Sequence, residues 1–130
     1  MLASARIIAF LAVTDRQRAR DFYEGVLGLT LVEDEPMALV FDANGVMLRI
    51  APVEQTAISI APYTVLGWEV ADIRATLAQF KAHGLAPERW PQIPIDDAGI
   101  CLFPDGTQVA WFKDPDGNLL SLTQFMHIEN

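Results

Sequence analysis

A chain of 130 residues, 52% of them apolar and 20% charged, is long enough to bury a core without staples, as one domain or as two half-size modules sharing one. Its net charge of −8, with nine basic residues against seventeen acidic ones, excludes the clustered Lys and Arg that nucleic-acid binding requires. The lone Cys101 excludes an internal disulfide framework and suits a reducing cytoplasm, and one Cys with two His is too few for a structural zinc site.

The apolar run Ile7 to Val13 follows Arg6, but Thr14-Asp15-Arg16 stands where a small-residue cleavage site would be, so it reads as a buried strand rather than a signal peptide. Thr14 and Asp15 are set to cap a helix over Asp15 to Leu27, with Ala19, Phe22, Tyr23 and Val26 on one face. Gly28 stops it. Three strands follow, at Leu29–Glu33, Ala38–Asp42 and Val46–Ala51, the last two joined through Asn44-Gly45, a strong hairpin signal.

A linker, residues 54–62, ends at Pro62. The uncharged stretch from Gln55 to Trp68 is broken by Pro62 and Gly67 and is too short to span a bilayer, so no membrane association is expected. A strand at Tyr63–Val70 leads to a second helix, capped by Asp72, with Ile73, Leu77 and Phe80 inward and Gly84 at its end. Pro87, Pro91 and Pro94 make Ala86 to Ile95 irregular or an interrupted edge strand. Strands at Ile100–Phe103 and Gln108–Lys113 flank the turn Pro104-Asp105-Gly106, and Asp114-Pro115-Asp116-Gly117-Asn118 turns into Leu119–Phe125.

The order repeats. Val13-Thr14-Asp15 and Val70-Ala71-Asp72 open the two helices 57 residues apart, and Tyr23 and Phe80 keep the same spacing. Two copies of one module, residues 1–53 and 63–130, predict an α+β fold with a shared core and a cavity at the seam.

Val13-x-Asp15, Asp21-Phe22-Tyr23 and Val26-Leu27-Gly28-Leu29, with Asp114-Pro115-Asp116-Gly117-Asn118 entering Leu119-Leu120-Ser121-Leu122, resemble the signatures of the vicinal oxygen chelate superfamily, which contains glyoxalases, bleomycin resistance proteins and dioxygenases. The resemblance spans residues 5 to 126. It implies two tandem βαβββ modules whose curved mixed sheets surround a ligand cavity, and a homodimer. Its metal-using members take ligands from the first and last strands of each module. Those positions here hold Ile8, Arg49, Val65 and Ser121. Two have no donor atom, one is a fixed cation and one is a lone hydroxyl. His83, beside the helix-ending Gly84, and His127, in the C-terminal tail, do not replace them. No metal and no cofactor are therefore expected.

Strand alternation places Phe10, Met47, Arg49, Val65, Glu69, Ser121 and Thr123 toward the cavity, with Trp111 as a wall or a dimer surface. Ile7, Leu11, Leu66, Trp68, Leu120 and Leu122 fall on the helix-covered side. A mostly apolar lining with a few polar groups suits a small organic ligand. Arg49 either anchors an anionic ligand oxygen or pairs structurally with Glu69, and Glu69 is the candidate general base. The expectation is a metal-independent binding protein for a small organic molecule, of the sequestration or resistance type. The rivals are a lyase, isomerase or dioxygenase-like enzyme using Arg49 and Glu69 or a divalent metal at other positions, and an interaction module with a vestigial cavity.

Overall fold

The structure is a computed structural model that describes residues 1–126; His127 lies outside the described residues. The chain divides into two compact units, Met1–Ser59 and a second beginning at Ile60. In the first, β1 (Ile8–Val13) leads through helix α1 (Arg16–Arg20) and a π-helical continuation (Asp21–Val26) to β2 (Thr30–Glu35), β3 (Ala38–Ala43) and β4 (Val46–Pro52). In the second, β5 (Leu66–Glu69) leads through α2 (Ile73–Ala82) to β6 (Cys101–Leu102), β7 (Gln108–Lys113) and β8 (Leu119–Gln124). Each unit forms one four-stranded mixed sheet, ordered β1-β4-β3-β2 and β5-β8-β7-β6, with its first and last strands parallel and the other neighbours antiparallel. This is the tandem βαβββ fold.

The local chemistry explains the matching order. Asp15 and Asp72 stand in extended conformation before their helices and accept from the backbone N–H of Arg18 (3.0 Å) and Ala75 (3.1 Å), satisfying donors the first turn leaves orphaned. Gly28 (φ 75°) and Gly84 (φ 76°) release the chain in the left-handed region, which glycine enters without a Cβ clash. On each sheet one face is sealed. Leu11, Val13, Leu39, Phe41, Leu48 and Ile50 are buried on the first, with the fully buried Tyr23 ring 6.3 Å from Phe41. Phe112, Leu120 and Leu122 are buried on the second, with Phe80 of α2 edge-on to Phe112 at 4.9 Å. Each such side chain contributes about 1.5–3 kcal/mol by leaving water.

The Asp114–Asn118 turn is held by its own hydrogen bonds. Asp114 Oδ1 accepts from the backbone N–H of Asp116 (3.0 Å) and Asn118 (2.8 Å), and its Oδ2 accepts from Asn118 Nδ2 (2.8 Å). The motif therefore builds the entry to β8.

Several expectations are corrected. Ile7 precedes β1 and is 76% exposed, not packed under a helix. The β5 strand is Leu66–Glu69 rather than Tyr63–Val70; Tyr63 is exposed, while Val65 and Val70 extend the pairing by donating to Leu119 O and Thr123 O. The β2 strand runs to Glu35, two residues beyond the expected end. The first helix changes pitch: Leu27 N–H donates to Phe22 O across five residues at 2.9 Å, a π-type bond.

Candidate functional site

Strand register places the expected residues on one face of each sheet, opposite the sealed one. In the first sheet Phe10 lies across from Arg49 and Ile8 across from Met47. In the second Gly67 lies across from Ser121 and Glu69 across from Thr123, while Trp111 pairs with Ser121 on its other side. The two pairs Phe10–Arg49 and Gly67–Ser121 occupy equivalent places, so the repeat read in the sequence is also a repeat of register. Val65 stands just before β5, where its N–H donates to Leu119 O at 3.0 Å.

The first face combines apolar exposure with one neutralised charge. Phe10 is 69% and Met47 43% exposed, whereas Leu48 and Ile50, alternating with Arg49 on the same strand, are sealed. The Arg49 guanidinium pairs with the Glu35 carboxylate of β2, both side chains about a third exposed or less. The sequence had offered Glu69 as partner; the carboxylate that the structure places on Arg49 was missed.

Its cause is a β-bulge. Pairing between β2 and β3 shifts between Leu31 and Glu33, so Glu33 pairs with Val40 and Glu35 with Ala38, the parity of Arg49. Without the extra residue Glu35 would fall on the helix face. The intervening Asp34 goes to that other face, where Arg16 and Arg20 hold it. Arg16 also donates to the carbonyls of Glu35 and Pro36, each at 2.9 Å.

The second face is tighter and more polar. Ser121 is buried, and its hydroxyl lies 2.5 Å from where a Cβ on Gly67 would stand. Glu69 is exposed at the end of β5. Trp111 is half-buried with Trp90 edge-on at 5.4 Å, and Glu88 N–H donates to Trp111 O at 2.7 Å, so the proline-rich segment runs beside β7 as an interrupted edge. Trp68 stacks on Phe112 on the sealed side. Cys101 is a buried free thiol, and His83 is the exposed C-terminal cap of α2.

The model of the Glyoxalase/Bleomycin resistance protein/Dioxygenase superfamily matches residues 5–122. The chain belongs to this superfamily. Among curated proteins none matches it significantly. Solved structures of glyoxalase-type proteins share its fold over nearly their whole length. Lactoylglutathione lyase from Agrobacterium tumefaciens is 19% identical, with 95% of this chain and 96% of that one covered and a TM-score of 0.73. A glyoxalase/bleomycin resistance protein/dioxygenase from Alicyclobacillus acidocaldarius is also 19% identical, covers 95% and 93%, and has a TM-score of 0.70. TnmS3, an antibiotic binding protein from Streptomyces sp. CB03234, is 24% identical, covers 97% and 99%, and has a TM-score of 0.70.

The four positions at which the sequence resemblance implies metal ligands do not offer a donor set for a divalent ion. Ile8 and Val65 offer no lone pair, Arg49 is a cation already engaged by Glu35, and the Ser121 hydroxyl is a weak neutral donor. Among the described residues no three His, Cys, Asp or Glu side chains come together as a metal-holding group.

Proposed function

We propose that this superfamily member is a metal-independent binding protein for a small organic molecule, which it holds rather than transforms. The observation that carries the reading is the face bearing Phe10, Met47 and Arg49. It keeps large apolar groups in solvent beside a cation neutralised by its own sheet, while the reverse face is filled. Such a surface favours a flat, apolar or weakly cationic body. It offers less to an acid, because the Glu35 carboxylate already offsets the Arg49 charge. In the second module the contacts are assigned to Val65, Glu69, Trp111, Ser121 and Thr123. The fold shared with TnmS3, an antibiotic binding protein, supports sequestration as the biological outcome.

The reading includes a homodimer in a reducing cytoplasm. Exposed Ile7 and Leu102 are apolar area that a second copy would cover, and the buried thiol of Cys101 needs no oxidising compartment.

The test is a thermal-shift screen of protein purified without added metal, over neutral aromatic, cationic and carboxylate compounds, with metal content measured on the same sample. A rise in Tm with neutral or cationic aromatics and no stoichiometric ion is expected. A stoichiometric divalent ion would overturn metal independence. The lack of any ligand-dependent rise would overturn binding itself and favour an interaction module.

A further inference from the structure

The second module departs from the first after its helix, and a cleft lies there. In the first module Gly28 leads almost directly into β2 at Thr30. In the second, Gly84 is followed by an irregular stretch that ends only where β6 opens at Cys101. The stretch is braced. Asp96 Oδ1 accepts from the backbone N–H of Ala98 and of Ile100, both at 2.9 Å, and its Oδ2 accepts from Arg74 of α2 at 3.1 Å. Arg89 donates to the carbonyl oxygens of Asp96 (2.9 Å) and Asp97 (3.0 Å). Gly99 (φ 97°) passes so close to Pro87 that a Cβ there would stand 2.3 Å from the ring. With Pro87, Pro91 and Pro94 limiting its freedom as well, this wall has little entropy left to lose on binding.

Between it and α2 lies an open cleft of about 610 Å³, within the range of small-ligand sites. We propose that this cleft binds a small amphipathic monoanion, a carboxylate carried on an aliphatic or aryl body. Leu77, Ala78, Leu85 and Pro87 give it an apolar lining. Arg74 and Arg89 are engaged in bracing the wall, whereas Lys81, which lines the same cleft, has no ion pair or hydrogen bond on its ammonium among the described residues. A lysine is a compact point charge on a flexible stem, suited to a single carboxylate. Asp97 on the rim opposes a second negative charge, which disfavours dianions such as phosphomonoesters. The net charge of −8 makes this basic lining a local exception, felt over roughly 8–10 Å at physiological salt.

The cleft is separate from the ligand face proposed above. α2 packs through Phe80 on Phe112, and Trp111 and Ser121 have the opposite strand parity. The inference therefore stands or falls independently.

The test is an NMR titration of the isotope-labelled full chain with octanoate, octanamide and octylammonium. Octanoate is expected to shift the amides of α2 and residues 85–98. Its Kd should weaken by ~fivefold in Lys81→Gln, the scale of one exposed ion pair, and recover in Lys81→Arg. Ala78→Trp, which fills the cleft from an exposed position, should abolish the response, and the amide and ammonium probes should bind more weakly than the acid. Equal responses to all three probes, an unchanged Kd in Lys81→Gln, octanoate shifts centred on the strand faces, or no shift at millimolar octanoate would each overturn the proposal.

Discussion

Arg49 of β4 is paired with Glu35 of β2, two strands away, because a bulge in β2 returns the acid to the parity of the arginine. The pair bears directly on whether Arg49 is a ligand anchor or part of the scaffold. A guanidinium held through one nitrogen by its own sheet lowers the charge of the face and the pull on an incoming acid.

A double-mutant cycle over Arg49→Ala and Glu35→Ala measures this relationship. With both side chains about a third exposed or less, solvent screening limits their coupling to roughly 0.5–1 kcal/mol in urea unfolding. Each single variant should therefore remain folded. Coupling near zero would show that the pair does not hold in solution and would return Arg49 to the role of anchor.

The Gly67–Ser121 contact gives a second expectation. Gly67→Ala places a methyl 2.5 Å from the Ser121 hydroxyl and 3.4 Å from the Ser121 carbonyl oxygen, a small overpacking that should cost about 1–2 kcal/mol. Adding Ser121→Ala removes the hydroxyl, and the next side-chain atom is 3.8 Å away, so most of the loss should return. Chemical denaturation of the two variants checks this; a double variant as unstable as Gly67→Ala would mean that the backbone contact dominates.

The acid limb of stability should depend on Asp96. The Ile100 backbone N–H, opposed by desolvation and helped by Arg74 and the Ala98 N–H, holds the Asp96 carboxyl below its ordinary value. Folding is then favoured by the ionised form. The contribution is complete above the unfolded carboxyl's pKa and is lost as pH falls through the lower folded value. Asp105 is lowered likewise, chiefly by the Thr107 N–H. Urea midpoints followed from neutral pH into the acid range should fall less steeply in Asp96→Asn than in the parent chain. Parallel slopes would remove Asp96 as a contributor.

Much of this was legible in the sequence because it is local. Asp15 and Asp72 announce helix starts, Gly28 and Gly84 announce stops, and Asn44-Gly45 announces a hairpin. Alternation along Leu48-Arg49-Ile50 and Leu120-Ser121-Leu122 then gives each sheet a sealed side and another side. The bulge was not legible, since one extra residue between Leu31 and Glu33 leaves composition and turn signals untouched while reversing the face of everything after it. The π-helical turn was hidden for a similar reason: Phe22, Tyr23 and Val26 can line one face at either pitch. The cleft beside α2 shows in the sequence only as a proline-rich irregularity, because its walls are braced by Arg74, Asp96 and Arg89, which meet only through tertiary hydrogen bonds.

The central claim, that the chain binds a small organic molecule without a metal, is tested most directly by calorimetric titration of an aromatic compound that raises Tm, before and after dialysis against a chelator. The account predicts the same Kd in both, weakened in Phe10→Ala by roughly tenfold, as for loss of a stacked aromatic contact. Binding that disappears on chelation and returns with a divalent ion would contradict it.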